Sequence, residues 1–275
     1  MPWIKVGDIN MYYRIQGEGY PIVLIMGVGA NLDWWTPFSI LEQLSKHFKV
    51  ITFDNRDAGR TDASETDSSI ELMAEDTKGL MDALNIEQAH VLGVSTGADI
   101  AELMAVKYPD KINKLVLNCG DAGNGTLFPM PSETMALGMK WIQEKNKGGK
   151  DRKTEYELAK LFLPMVFSQS FIDNNPDKIE TIINILLIAP MGGKELMKQM
   201  SATLKFDIID SLSQIKNPTL IMHGKEDQMV PYKNAEYLAE HIPGAELVSY
   251  DKGGHLFSYQ EPEDVVNKVI EFLEK

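Results

Sequence analysis

The chain has 275 residues, 44% hydrophobic and 24% charged, which is ordinary globular usage and excludes a disordered tail or a collagen-like fibre. Lys and Arg number 27 against 40 Asp and Glu, and the resulting charge of −13 repels phosphate backbones, so a nucleic-acid partner is not expected. One cysteine, Cys119, excludes an internal disulfide and a thiolate metal cluster, and only four arginines (Arg14, Arg56, Arg60, Arg152) are present to clamp a strongly anionic substrate.

Strands and helices alternate along the chain. Short β-rich runs fall at 10–15, 22–26, 50–54, 90–94, 114–118, 219–223 and 246–250. Most are apolar at consecutive positions, as strands buried on both faces require. Helical patterns lie between them at 36–47, 69–84, 96–108, 232–241 and 262–274. This alternation predicts an α/β fold with a largely parallel sheet flanked by helices. It breaks once. Residues 125–215 show helical patterns punctuated by Gly148-Gly149, Pro164, Pro176, Pro190 and Gly192-Gly193, but no clear strand. The expected organisation is a core of residues 1–124 and 216–275 with a helical cap, or lid, at 125–215. The N-terminus has no basic stretch followed by an apolar segment, so no signal peptide is expected. The most apolar run, 22–30, is far short of the ~20 residues of a membrane span. A cytoplasmic protein without membrane contact is the expectation.

The strongest chemical signal is Gly93-Val94-Ser95-Thr96-Gly97, between a buried strand and a helix. A serine on such a tight turn is forced outward, above a helix N-terminus that favours developing negative charge. Its hydroxyl needs a base. His255 follows the last strand and falls on the same sheet edge, whereas His90 begins its strand at the opposite edge and His47 and His241 fall near helix ends. His223 ends its strand and is expected to fill the turn. Asp227 follows the same strand and would hold the imidazole tautomer. The order Ser95, Asp227, His255, each after its own strand, makes these three the candidate catalytic residues. Backbone N–H groups of Thr96 and of Val28, in Met26-Gly27-Val28-Gly29-Ala30, are the candidate oxyanion donors. No cofactor and no metal are expected.

These motifs, with Asp54-Asn55-Arg56-Asp57-Ala58-Gly59-Arg60-Thr61, Gly224 to Pro231, Gly254-His255 and Glu261-Pro262, resemble those of α/β-hydrolase-fold proteins of the capped esterase, peptidase and haloperoxidase type. The resemblance covers nearly the whole chain outside the insertion. It implies an eight-stranded sheet, with Ser95 as nucleophile, Asp227 as acid, His255 as base and the insertion as cap. The chain departs from the common pattern at Met26 (often His), Ala98 (often Gly), Asp57 (often Gly) and Thr61 (often Ser). Asp121 is a second-choice acid, because some relatives carry one at that strand. Asp99 is read as a helix-dipole partner, with contact to substrate or cap as the sharper reading. The apolar stripe of the insertion (161–163, 165–167 and 182–188) suggests an apolar pocket, or else packing of the cap against itself.

The expected activity is hydrolysis of a small to medium uncharged ester through an acyl-enzyme. The same triad also serves amide, peptide, lactone and carbon–carbon bond hydrolysis and haloperoxidase or perhydrolase chemistry. Small-molecule reception without turnover is the non-enzymatic alternative. A small-molecule substrate is the only partner expected, and the sequence leaves the oligomeric state open.

Overall fold

The computed structural model describes residues 2–63, 65, 67–123, 127–147 and 151–275. Eight strands form one sheet: β1 (Trp3–Val6), β2 (Ile9–Gln16), β3 (Pro21–Ile25), β4 (Lys49–Phe53), β5 (Ala89–Val94), β6 (Ile112–Asn118), β7 (Thr219–Gly224) and β8 (Glu246–Tyr250). Their order is β1-β2-β4-β3-β5-β6-β7-β8. The first two pairings are antiparallel and every later one is parallel. The six parallel strands, β3 to β8, therefore deliver their carboxyl ends to one edge, where open α/β sheets gather their ligand loops. The mixed α/β sheet agrees with the sequence reading. Strand β1 had no sequence signal of its own, because it is a four-residue edge strand with Trp3 and Lys5 exposed.

The helices are α1 (Ile40–Leu44), α2 (Ile70–Ala83), α3 (Thr96–Lys107), α4 (Ser132–Lys147), α5 (Arg152–Val166), α6 (Gln169–Asn174), α7 (Pro176–Leu186), α8 (Gly193–Lys205), α9 (Lys233–His241), α10 (Phe257–Gln260) and α11 (Pro262–Glu274). Five of them, α4 to α8, lie between β6 and β7. The break expected at Gly148-Gly149 and the boundary expected at 124/125 lie outside the described residues. Pro164 does not interrupt its segment: α5 runs through it and ends two residues later. A proline in the last turn leaves the earlier hydrogen-bond ladder intact. The helix expected at 36–47 is shortened to α1, because Phe38 (φ 55°) and Ser39 (φ 60°) take left-handed backbone after Pro37.

Each face of the sheet carries its own apolar cluster. Val91 and Ile221 face α2, α3 and α9, while Leu92 and Met222 face the other way, toward α1 and α11. The second cluster also takes in Leu163 and Val166 of α5 and Ile182 and Ile183 of α7. The inserted helices are thus seated on the core by apolar burial. Deleting a side chain as buried as Ile182 is worth about 2–5 kcal/mol.

Candidate active site

Ser95 sits between β5 and α3 with φ 55° and ψ −128°, a backbone conformation that an L-residue rarely adopts. Two glycines make that turn feasible. A side chain at Gly93 would collide with the Gly97 carbonyl, and one at Gly97 would collide with the Ile25 carbonyl at the end of β3. The loop after β3 comes equally close: a Cβ on Gly27 would stand 2.9 Å from the Ser95 Cβ and 2.9 Å from the Val94 oxygen. This packing holds Met26–Ala30 beside the serine.

Asp227, in the turn after β7, is 4% exposed and His255, in the loop after β8, is 5% exposed. His255 Nδ1 and Asp227 Oδ2 are 2.8 Å apart. The second carboxylate oxygen, Oδ1, accepts from the N–H groups of Met229 at 2.8 Å and Val230 at 2.9 Å, which locks the carboxylate plane. Burial raises the Asp227 pKa, but the His255 ring and hydrogen bonds from His223 and His255 overcome it and hold the carboxyl well below its ordinary range. Burial lowers the His255 pKa, but Asp227, assisted by the adjacent Cys119, overcomes it and raises the ring well above 6.5. Asp227 therefore fixes Nδ1 as the protonated nitrogen and stabilises an imidazolium, leaving Nε2 to exchange protons. Among the described residues no hydrogen bond joins the Ser95 hydroxyl to this ring. Catalytic contacts of this kind often close only when substrate is bound.

Val28 lies in the loop after β3 whose Gly27 packs on Ser95, and Thr96 opens α3 directly after Ser95. Among the described residues, neither backbone N–H donates to another group of the chain.

A cavity adjoins this loop. Val28, Gly29 and Trp34 of the core line it together with Trp141, Leu158, Ala159, Phe162, Leu186 and Leu196 of the inserted helices. Its charged lining residues form the ion pair Lys145 Nζ–Glu155 Oε2 at 3.1 Å, with the two side chains 7% and 15% exposed. The apolar stripe read from the sequence is divided. Leu163, Val166, Ile182 and Ile183 are buried in packing, whereas Phe162 and Leu186 reach the cavity.

Several residues lie where sequence reasoning gave no or only part of their role. His223 fills its turn as expected, with Nε2 2.8 Å from the Val230 carbonyl, but the same nitrogen is also 3.1 Å from Asp227 Oδ2. Its position four residues before Asp227 was the available signal. Cys119 follows β6 with φ 45° and brings its sulfur within 4.8 Å of the ligand atoms of Asp227 and His255. Asp227 and His255 are already hydrogen-bonded to each other, so this trio is a wall of the site. Asp121 Oδ1 accepts from its own turn at Gly123 N, 2.8 Å away, and His255 is bonded to Asp227 instead. Asp99 is 2% exposed and lies beside Asp121 and Glu102, not among the cavity's lining residues. Glu102 is fully buried and, among the described residues, neither of its carboxylate oxygens has a hydrogen-bond partner. Burial first, then the neighbouring carboxylates, raises the pKa of Asp99 and Glu102 well above the ordinary range. Asp57 takes φ 67°, left-handed backbone that Asp tolerates better than most residues. Thr61 donates to the Asp54 carbonyl at 2.7 Å and accepts from Tyr12 N at 2.9 Å.

Similarity to known proteins agrees with this architecture. A relative in Agrobacterium fabrum named as a carbamate hydrolase is 28% identical over 269 residues, covering 96% of this chain and 97% of its own. A 2-hydroxy-6-oxononadienedioate/2-hydroxy-6-oxononatrienedioate hydrolase of Paraburkholderia xenovorans is 28% identical over 274 residues, covering 97% and 91%. The crystal structure of the enol-lactonase from Burkholderia xenovorans LB400 superposes with a TM-score of 0.82 at 26% identity, over 100% of both chains. No helix among the described residues is long and apolar enough to cross a membrane. The family model for the alpha/beta hydrolase fold matches residues 20–262, and the chain is an enzyme of the α/β-hydrolase family.

Proposed function

We propose that the chain is a serine hydrolase that cleaves small to medium, largely uncharged carboxylic esters through an acyl-enzyme. Ser95 is the nucleophile, His255 the base and Asp227 the orienting acid. His255 Nε2 takes the hydroxyl proton as Ser95 attacks the carbonyl carbon. The oxyanion forms against the Val28 and Thr96 N–H groups. The imidazolium then protonates the leaving alcohol, and the neutral ring activates water to release the acid. Helices α4 to α8 act as the cap, and the cavity they share with Val28 receives the acyl group. The reaction needs no cofactor or metal, and the protein works in the cytoplasm.

The observation that carries this reading is the 2.8 Å Asp227–His255 hydrogen bond at the same sheet edge as a serine held in a strained turn. The test is labelling with a fluorophosphonate, read by intact mass. Wild type gains one phosphonyl group and Ser95→Ala gains none. An unlabelled wild type sinks the proposal.

A second reading, hydrolysis of a lactone or a carbon–carbon bond on the same triad, is favoured by the names of the relatives, among them an enol-lactonase and a hydrolase of an oxo-dienedioate. The Lys145–Glu155 pair gives the cavity a polar end that such oxygen-rich substrates could use. Comparing kcat/KM on p-nitrophenyl esters with that on lactones and vinylogous 1,5-diketones separates the two readings.

A further inference from the structure

Among the loops around Ser95, one side chain comes from far away. Gln199 lies on α8, in the inserted helices, and is 2% exposed. Its Oε1 accepts from the Gly29 N–H at 3.0 Å, and its Nε2 donates to the Arg56 carbonyl at 2.8 Å. One amide therefore spans the loop after β3 and the turn after β4. An N–H on one side and a carbonyl on the other fix its orientation without ambiguity. The same helix touches the second loop too: Thr203 Oγ1 is 3.0 Å from Thr96 Oγ1 and donates to the Gln199 carbonyl at 3.2 Å.

We infer that Gln199 is a positioning residue for the oxyanion site, making the donor geometry at Val28 depend on the seating of α8. The inference rests on the serine-hydrolase reading above. Residues 27–30 form a tight turn, closed by the Ala30 N–H to Gly27 carbonyl bond at 3.3 Å, with Gly29 at φ 77° in its third position. Gly27 is pressed on Ser95 at one end, and Gln199 ties down Gly29 at the other. The Val28 N–H, left without a partner, is held between these two anchors. Gln199 also occupies the neighbouring N–H, so Val28 and not Gly29 is left to meet an oxyanion. Donors that stabilise a transition state must be aimed before the charge develops, and a loose loop loses much of that effect. Thr203 gives α8 a second hold, on the residue that supplies the other donor.

The experiment compares wild type, Gln199→Met and Gln199→Glu by ester kinetics, by the second-order rate of fluorophosphonate labelling and by thermal melting. Gln199→Met keeps the length but has neither polar group. Its kcat and its labelling rate should fall together by about 10- to 100-fold, with KM changed less than about twofold, because only the transition state draws on the oxyanion donors. Gln199→Glu keeps the acceptor for Gly29 but puts a second oxygen against the Arg56 carbonyl, a clash relieved by protonation. Its kcat relative to wild type should therefore rise as the pH falls. A Gln199→Met enzyme with wild-type kcat and labelling rate, whatever its melting point, overturns the inference and leaves the serine-hydrolase reading standing. Equal losses in kcat and in ground-state binding assign Gln199 a purely structural role and overturn it as well. If Gln199→Met does not fold, the pH-dependent ratio of Gln199→Glu decides, and a flat ratio overturns the inference. A wild type that takes no label overturns both readings.

Discussion

The carboxyl edge of the sheet and the inserted helices meet at one cavity but are built differently. At the edge, backbone does the positioning. Ser95 has a strained φ, Gly93 and Gly97 admit neighbouring carbonyls, and two N–H groups lock the Asp227 carboxylate. In the insertion, side chains do it. Helices α5 and α7 are seated by apolar burial, α8 by Gln199 and Thr203, and the segment after α7 by Asn31 Nδ2 on the Ile188 carbonyl at 2.6 Å. The insertion also leaves Met135, Met139, Met197 and Leu204 between 46% and 66% exposed. Backbone sterics dominate at the edge and side-chain packing in the insertion, with the Gln199 side chain joining the two.

The largest test of this contrast is Asp227→Asn. It should leave the fold intact and lower kcat by about 10⁴-fold, measured by ester turnover, because the imidazole then loses its tautomer and its charge partner. A loss below about tenfold would move the acid elsewhere, with Asp121 next in reach. Phe162→Ala changes the cavity wall of the other region, where the ring meets Trp34 edge-on. It should raise KM for long acyl esters roughly tenfold while changing kcat less, since the lost contact is made equally in ground and transition states.

The pH profile tests the edge again. The His255 pKa is raised, so the ring is protonated and inactive at low pH, and kcat/KM should climb as pH rises through that pKa. Asp227→Asn should move the residual profile toward lower pH. For stability the sign reverses: the raised pKa of His255 contributes fully below the unfolded value of about 6.5, and that contribution is lost as pH rises through the folded pKa.

The smallest expected effect concerns Glu102, which serves neither region's chemistry. Its pKa is raised, so the folded state keeps its proton while the unfolded state releases it above about pH 4.5. Glu102→Gln should therefore melt several degrees higher at pH 8, for a gain of about 1–3 kcal/mol, with the advantage shrinking toward pH 4. Equal melting points at pH 8 would mean the carboxylate is compensated in the fold.

The edge was largely legible in the sequence. Elbow glycines, strand ends and the Gly224-to-Asp227 spacing each act within a few residues of chain, and local sterics leave such segments few conformations. The insertion was legible only as helices and breaks. Its stripe from 161 to 167 holds both packing and cavity residues, and hydropathy alone assigns the same value to each. Phe162 and Leu163 are neighbours in sequence and turn to different surroundings. Helix α1 starts later than the pattern at 36–47 predicts, because the left-handed pair Phe38 and Ser39 carries no glycine to announce it.

The sequence by itself determined the α/β alternation, the serine turn, and the order of serine, acid and histidine along one sheet edge, because each depends on short-range geometry or on the burial of consecutive apolar residues. Only the tertiary structure decided that His223 shares the Asp227 oxygen, that Cys119 walls the histidine, and that Gln199 reaches across 170 positions to hold Gly29. Contacts of that kind depend on how whole elements pack, and no local pattern records them.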